Sequence, residues 1–119
     1  MRGVPKGAEP EEVASLFYDS MVEGDLDLWR ETLTREHRES MDVKGATPWF
    51  WWTTGRRYVE SYGVRWQIHL GERRGDEAEG RIKLFFKRLN PDGSGRGMPV
   101  PITLVRDVDG EWRVESATV

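Results

Sequence analysis

The sequence predicts an α+β domain in which N-terminal helices pack on one face of an antiparallel sheet of about four to five strands. Two observations carry this prediction. Apolar residues recur at helical spacing up to Gly63, and from Val64 onwards they alternate with polar residues, as in strands. In addition, turns rich in Gly and Pro separate the alternating segments, which favours hairpin connections between consecutive strands.

The first helix is predicted to start at Pro10, whose missing N–H is no loss in a first turn, and to stop at Gly24. Acidic residues follow Pro10 directly, where the helix dipole favours negative charge. One face is mainly apolar and is expected to point to the core. It consists of Val13, Leu16, Phe17, Ser20 and Met21.

A second helix is predicted over residues 25–37, with Asp25 as its N-terminal cap. The link that follows, residues 38–47, is polar and irregular, and it leaves room for a short strand at residues 41–43. The apolar face of this helix consists of Leu26, Trp29 and Leu33.

A third helix is predicted over residues 48–62 and begins with four aromatic residues in a row. Successive residues on a helix are about 100° apart, so these four rings cannot share one face. Trp51 and Trp52 lie on the stripe that continues to the end of the helix, and they are expected to face the core. Trp49 and Phe50 lie off this stripe and need another cover, which a loop, a pocket mouth or a partner could provide.

The second half of the chain is predicted to form strands that pair as a meander. The dipeptide Asp109–Gly110 is a strong hairpin signal before the last strand. The segment between the first two strands, residues 71–80, is expected to be a hairpin loop. The four strands are expected at residues 64–70, 81–89, 98–108 and 111–119.

Composition limits the classes of function. The chain has 119 residues, so we expect one domain, residues 1–119, with residues 1–9 as a flexible N-terminal tail. The sequence contains no cysteine, which excludes disulfides and thiolate metal sites. The formal net charge of −3 gives no general attraction for phosphate backbones, so no nucleic-acid partner is expected. No apolar run is long enough to cross a bilayer and no signal-peptide pattern is present, which predicts no membrane partner and a cytoplasmic location.

Several features resemble one known superfamily. They are the amphipathic first helix that ends in "EGDLDLW", the aromatic helix that leads into a long-stranded meander, and the closing hairpin "VRDVDGEWRVESATV". Over residues 10–119 the chain resembles the superfamily named for nuclear transport factor 2 (NTF2), which also contains ketosteroid isomerases and polyketide cyclases. The resemblance implies a sheet curled into a cone, closed by the helices around an apolar pocket.

Strand alternation predicts which side chains would line such a pocket. The inward strand positions are almost all apolar, and Arg106 is a charged residue that shares their parity. The Tyr18 position resembles that of the tyrosine donor of the isomerases, but their two aspartates have no counterpart on the inward positions. The pocket-lining candidates are Phe17, Tyr18, Trp51, Trp52, Tyr58, Tyr62, Trp66, Phe86, Arg106 and Trp112.

Neither histidine is predicted to act in catalysis. His69 falls on an outward strand position, and His37 lies among charged residues at a helix end. Two distant histidines without cysteine do not have the spacing of metal ligands, so no metal and no cofactor is expected.

We therefore expect a domain that binds a small apolar molecule in the cone without catalysis. A small isomerase, cyclase or hydrolase and a dimeric interaction module are the alternatives. Members of the superfamily commonly dimerise through the outer sheet face, so a homodimer through this face is expected. The interface candidates are Trp49, Phe50, Phe85 and Val105.

Overall fold

The computed structural model describes residues 3–119, apart from the side chains of residues 70 and 71. Its helices are α1 (Pro10–Glu23), α2 (Leu26–Glu31), α3 (Arg35–Ser40) and α4 (Thr47–Tyr62). Its strands are β1 (Arg65–Asp76), β2 (Arg81–Leu89), β3 (Val100–Arg106) and β4 (Trp112–Ala117), and a 3₁₀ turn, Glu77–Glu79, joins β1 to β2. All strand pairs are antiparallel, in the order β1-β2-β3-β4. The predicted α+β class is confirmed.

The ends of the long helices follow the sequence signals. Pro10 opens α1, and Gly24 and Gly63 end α1 and α4 in the left-handed conformation, with φ of 76° and 65°. The Asp25 carboxylate accepts a hydrogen bond from the Leu28 N–H at 3.1 Å and so caps α2. None of the helices over residues 3–119 is both long and apolar enough to span a membrane.

The predicted second helix is in fact two short helices, α2 and α3, because the backbone between them joins the sheet. The Thr34 N–H donates to the Val114 carbonyl at 3.1 Å, and the Val114 N–H donates to the Thr32 carbonyl at 2.7 Å. Leu33 thereby forms a parallel bridge with β4 and is fully buried. The expected strand at residues 41–43 is a turn instead.

The first strand is longer than predicted and carries a large bulge. Most of the expected hairpin loop is part of β1, which continues to Asp76. Ile68 pairs with Phe86 and Arg73 pairs with Leu84, so residues 69–72 lie opposite Phe85 alone. The backbone of β2 is regular, and the register irregularity belongs to its partner strand.

The core lies between the helices and one face of the sheet, as the alternation predicts. Residues 3–9, expected to be a free tail, contact this core: Ala8 is buried, Val4 packs against the cluster, and the Gly7 N–H donates to the Glu111 carboxylate at 3.0 Å. The predicted inward strand residues that are buried are Val64, Trp66, Ile82, Leu84, Phe86, Val100, Ile102, Leu104, Trp112 and Val114.

Helices α1 and α4 approach each other closely at Gly55. A Cβ atom at this position would lie 1.9 Å from the sulfur of Met21, whose side chain is fully buried. Any side chain at this position would force the buried Met21 side chain to move.

We therefore expect Gly55→Ala to destabilise the fold by about 1–3 kcal/mol, because the added methyl group overpacks the core. This is opposite in sign to the usual effect of Gly→Ala in a helix, a gain of roughly 1 kcal/mol. Urea unfolding measures the change. Met21→Ala should cost less stability in the Gly55→Ala background than in the unchanged protein, because the shorter side chain removes the clash. Ser61→Ala, an exposed change on the same helix, is the control. A Gly55→Ala protein more stable than the unchanged protein would contradict the close approach of α1 and α4 at Gly55.

Candidate functional site

The interior between helices and sheet is filled by the protein's own aromatic rings. Tyr18 stacks on Trp66 with ring centroids 5.4 Å apart and contacts the Phe86 ring at 4.6 Å. Phe17 meets Tyr18 edge-on at 5.0 Å. These four pocket-lining candidates do come together, and all four are buried. They contact one another, and the depressions described below all lie on the surface.

Tyr18 is held as a neutral hydrogen-bond donor. Its hydroxyl donates to the Thr118 carbonyl at 2.8 Å. Burial raises the pKa of Tyr18 far above its usual value, and the nearby Arg88 charge opposes this only in part. The hydroxyl therefore ties α1 to the C-terminal residues and is a poor proton acceptor or acid at neutral pH.

The interior offers hydrogen-bond donors but no buried carboxylate. Every Asp and Glu side chain in the described part of the chain is at least partly exposed. The indole nitrogens of Trp29 and Trp66 are buried and donate to no acceptor within the described residues. Within the described residues the interior therefore lacks the shifted carboxylate that proton transfer of the isomerase type requires.

The remaining pocket-lining candidates, all on α4, differ in how deeply their side chains are buried. Trp51 is buried and meets the His37 ring edge-on at 5.2 Å. Trp52 is half-buried against Trp29, with centroids 5.1 Å apart. Tyr58 is also half-buried, whereas Tyr62 is 51% exposed, so its side chain lines no interior pocket.

Arg106, the charged candidate with inward parity, is exposed rather than directed into the interior. It is the last residue of β3, so its side chain leaves the core at the strand end. Its guanidinium lies 4.6 Å from the centroid of the Trp112 ring and donates to the Gly110 carbonyl at 2.8 Å. Trp112 itself is buried, and Arg106 covers its outer side.

The loop before α4 covers Trp49 and forms a depression beside it, which we call the Trp49 pocket. The indole N–H of Trp49 donates to the Met41 carbonyl at 2.7 Å, which fixes the ring. Phe50 has no such cover and is 69% exposed. The sequence does not identify which segment covers either ring, because a polar loop has no periodic pattern that could be recognised. The Trp49 pocket has a volume of about 390 Å³ and is lined by Met41, Asp42, Lys44, Gly45, Trp49 and Thr53.

A larger depression between α3 and β4, about 480 Å³, is lined mainly by charged and polar residues. His37 lies at its border, and its Nε2 is hydrogen-bonded to the Glu115 carbonyl at 2.6 Å, which fixes the ring. Over residues 3–119 no group of three or more His, Asp or Glu side chains could hold a metal ion.

The outer sheet face carries the other interface candidates. Phe85 is half-buried between Arg74 and Lys83, whose charged groups lie 5.4 and 6.0 Å from its ring centroid. Val105 is half-buried on the same face, two strand positions from Thr103.

Comparison with known proteins identifies the fold and nothing finer. No protein-family model and no curated protein matches the chain. A SEC-C motif protein from Rhodopseudomonas palustris aligns with a TM-score of 0.61 and 16% identity, over 99% of this chain and 81% of that one. A protein of unknown function with a cystatin-like fold, from Methylobium petroleophilum PM1, aligns with a TM-score of 0.56 and 16% identity, over 92% and 77%. The chain thus shares the cystatin-like α+β fold.

The buried Tyr18 hydroxyl predicts a loss of stability in alkali. Above about pH 10 the unfolded chain releases the tyrosine proton whereas the folded protein keeps it, so deprotonation stabilises the unfolded state relative to the folded state. The free energy of unfolding should therefore fall, by up to ~1.4 kcal/mol per pH unit from this residue alone. Tyr18→Phe should be less stable at pH 8 by about 1 kcal/mol, the value of the lost hydrogen bond, yet depend less on pH between 9 and 11. Parallel pH profiles for the two proteins would contradict this account.

Proposed function

We propose that this chain is an NTF2-like domain that binds a small apolar molecule without catalysis, and that the ligand lies in the Trp49 pocket. The observation that carries the proposal is the pocket itself. Its volume of about 390 Å³ falls in the range typical of small-molecule sites, and its walls are mostly apolar. Met41, which lines the pocket, belongs to the hydrophobic core.

The fixed indole ring indicates the chemistry of the ligand. Because Trp49 donates its N–H to the Met41 carbonyl, its ring is held in place before any ligand arrives, which lowers the entropy cost of binding. Asp42 and Lys44 place one charge of each sign on the exposed rim. A flat, uncharged molecule with a small polar group directed towards the rim fits this arrangement.

Two contacts favour this pocket over the interior. The packed rings of Tyr18, Trp66 and Phe86 would have to separate before a ligand could enter between them. The isomerase alternative also needs a carboxylate aimed at the substrate, and the Tyr18 hydroxyl that resembles the isomerase donor is already bonded to Thr118.

Indole N–H signals in a ¹H–¹⁵N NMR spectrum test the proposal, because the chain has six tryptophans that report on different places. Titration with indole and with 2-naphthol, as neutral aromatic probes, should shift the Trp49 signal in a saturable way. Thr53→Arg, which fills the pocket with a long side chain, should abolish the shift. Ser61→Arg adds the same side chain to an exposed position of α4 outside the pocket and should leave the shift unchanged.

Two results would reject the proposal. Saturable shifts centred on the Trp29 and Trp66 signals would place the ligand in the interior instead. No saturable shift with either probe would remove the support for an apolar ligand of this class.

A further inference from the structure

Charge is distributed unevenly over the two halves of the chain. Residues 1–63, which contain the helices, include eight basic and twelve acidic residues. Residues 64–119, which contain the strands, include ten basic and nine acidic residues. The acidic residues of the second half lie mostly in turns, and the basic ones lie mostly on strands. The net charge of −3 therefore hides a sheet with a basic surface.

Strand pairing gathers these cations on the outward face, the side of the sheet that points away from the helices. Two carboxylates lie on this face: Asp76, which accepts the Ala78 N–H at 2.8 Å and keeps its negative charge, and Glu115, which pairs with Arg81 at 2.6 Å. The other cations of this face have no carboxylate partner within the described residues. The cations are Arg65, Arg74, Arg81, Lys83, Lys87 and Arg113.

Three of the cations surround a depression of about 260 Å³ on this face. Arg74, Arg81 and Lys83 form its sides together with Gly75, and Thr103 lies in its floor. Thr103 is only 8% exposed. Converging cations match the several acceptor oxygens of a phosphate group.

An aromatic ring lies next to the depression. Arg74 and Lys83, which border the depression, also flank the half-buried ring of Phe85 on the central strand β2. A nucleotide joins a phosphate to a flat base, so one nucleotide can place the phosphate in the depression and the base against Phe85. An acidic peptide would match the cations alone and leave the ring without a stacking partner.

We propose that the outward face of the sheet binds single-stranded nucleic acid, with a phosphate held by Arg74 and Lys83 and a base stacked on Phe85. A single strand is favoured over a duplex because its bases are free to stack on a side chain. A second copy of the chain fits less well. A symmetric contact through this face would bring two surfaces of the same charge together, which opposes association.

Fluorescence anisotropy of labelled oligo(U) and oligo(dT), each about 12 nucleotides long, tests the proposal in 50 and 200 mM salt. The protein should bind both, more weakly in the higher salt. Lys83→Gln should weaken binding and reduce the slope of log affinity against log salt by about 0.7, the share of one phosphate contact in a single strand. Phe85→Leu keeps an apolar side chain but removes the ring, and it should weaken binding roughly 5- to 100-fold without changing that slope. Arg57→Gln, on the exposed surface of α4, is the control and should change nothing.

Four results would overturn the proposal. The first is no binding of either oligonucleotide in 50 mM salt. The second is equal competition by a polyglutamate peptide together with no effect of Phe85→Leu, which would indicate an acidic protein partner. The third is equal affinity for duplex and single strand. The fourth is a dimer in light scattering that Phe85→Asp dissociates, because the face would then be an interface between copies.

Discussion

The buried ring of Tyr18 is the contact on which the rest of the structure depends. It joins α1 to β1 through Trp66, to β2 through Phe86, and to the end of the chain through the Thr118 carbonyl. Because this ring packs against Trp66 and Phe86, a ligand could enter between them only if the rings separated. The surface depressions beside Trp49 and Phe85 are therefore the places where binding is best supported.

Much of the fold was predictable because its signals are local. Alternation of apolar residues identified the inward face of every strand, and glycines marked the ends of the long helices. The split between α2 and α3 was not predictable from the sequence, since its cause is a pair of hydrogen bonds with Val114, which lies far along the chain. Local helix propensity favours one continuous helix over residues 25–37, but the pairing of its backbone with β4 interrupts that helix.

The candidate sites were less predictable than the fold, for two physical reasons. Alternation along a strand predicts which face of the sheet a residue lies on, but it does not show where the strand ends. Alternation therefore predicts an inward Arg106, whereas its side chain is exposed at the strand end, over the ring of Trp112. Net charge sums over the whole surface, whereas a binding partner meets only one face. Five cations without carboxylate partners on the outward face became visible only once strand register had grouped them.

The bulge in β1 separates two parts of the same strand. Ile68 and Arg73 are an odd number of residues apart, yet both lie opposite inward residues of β2. The four residues between them absorb the difference, so the outer end of the hairpin keeps its own register, with Arg73 paired to Glu11 on α1 and Arg74 on the opposite face. Insertions or deletions here would enlarge or reduce the bulge while the paired parts of both strands stay in place. This segment is thus where a change in chain length should disturb the core least.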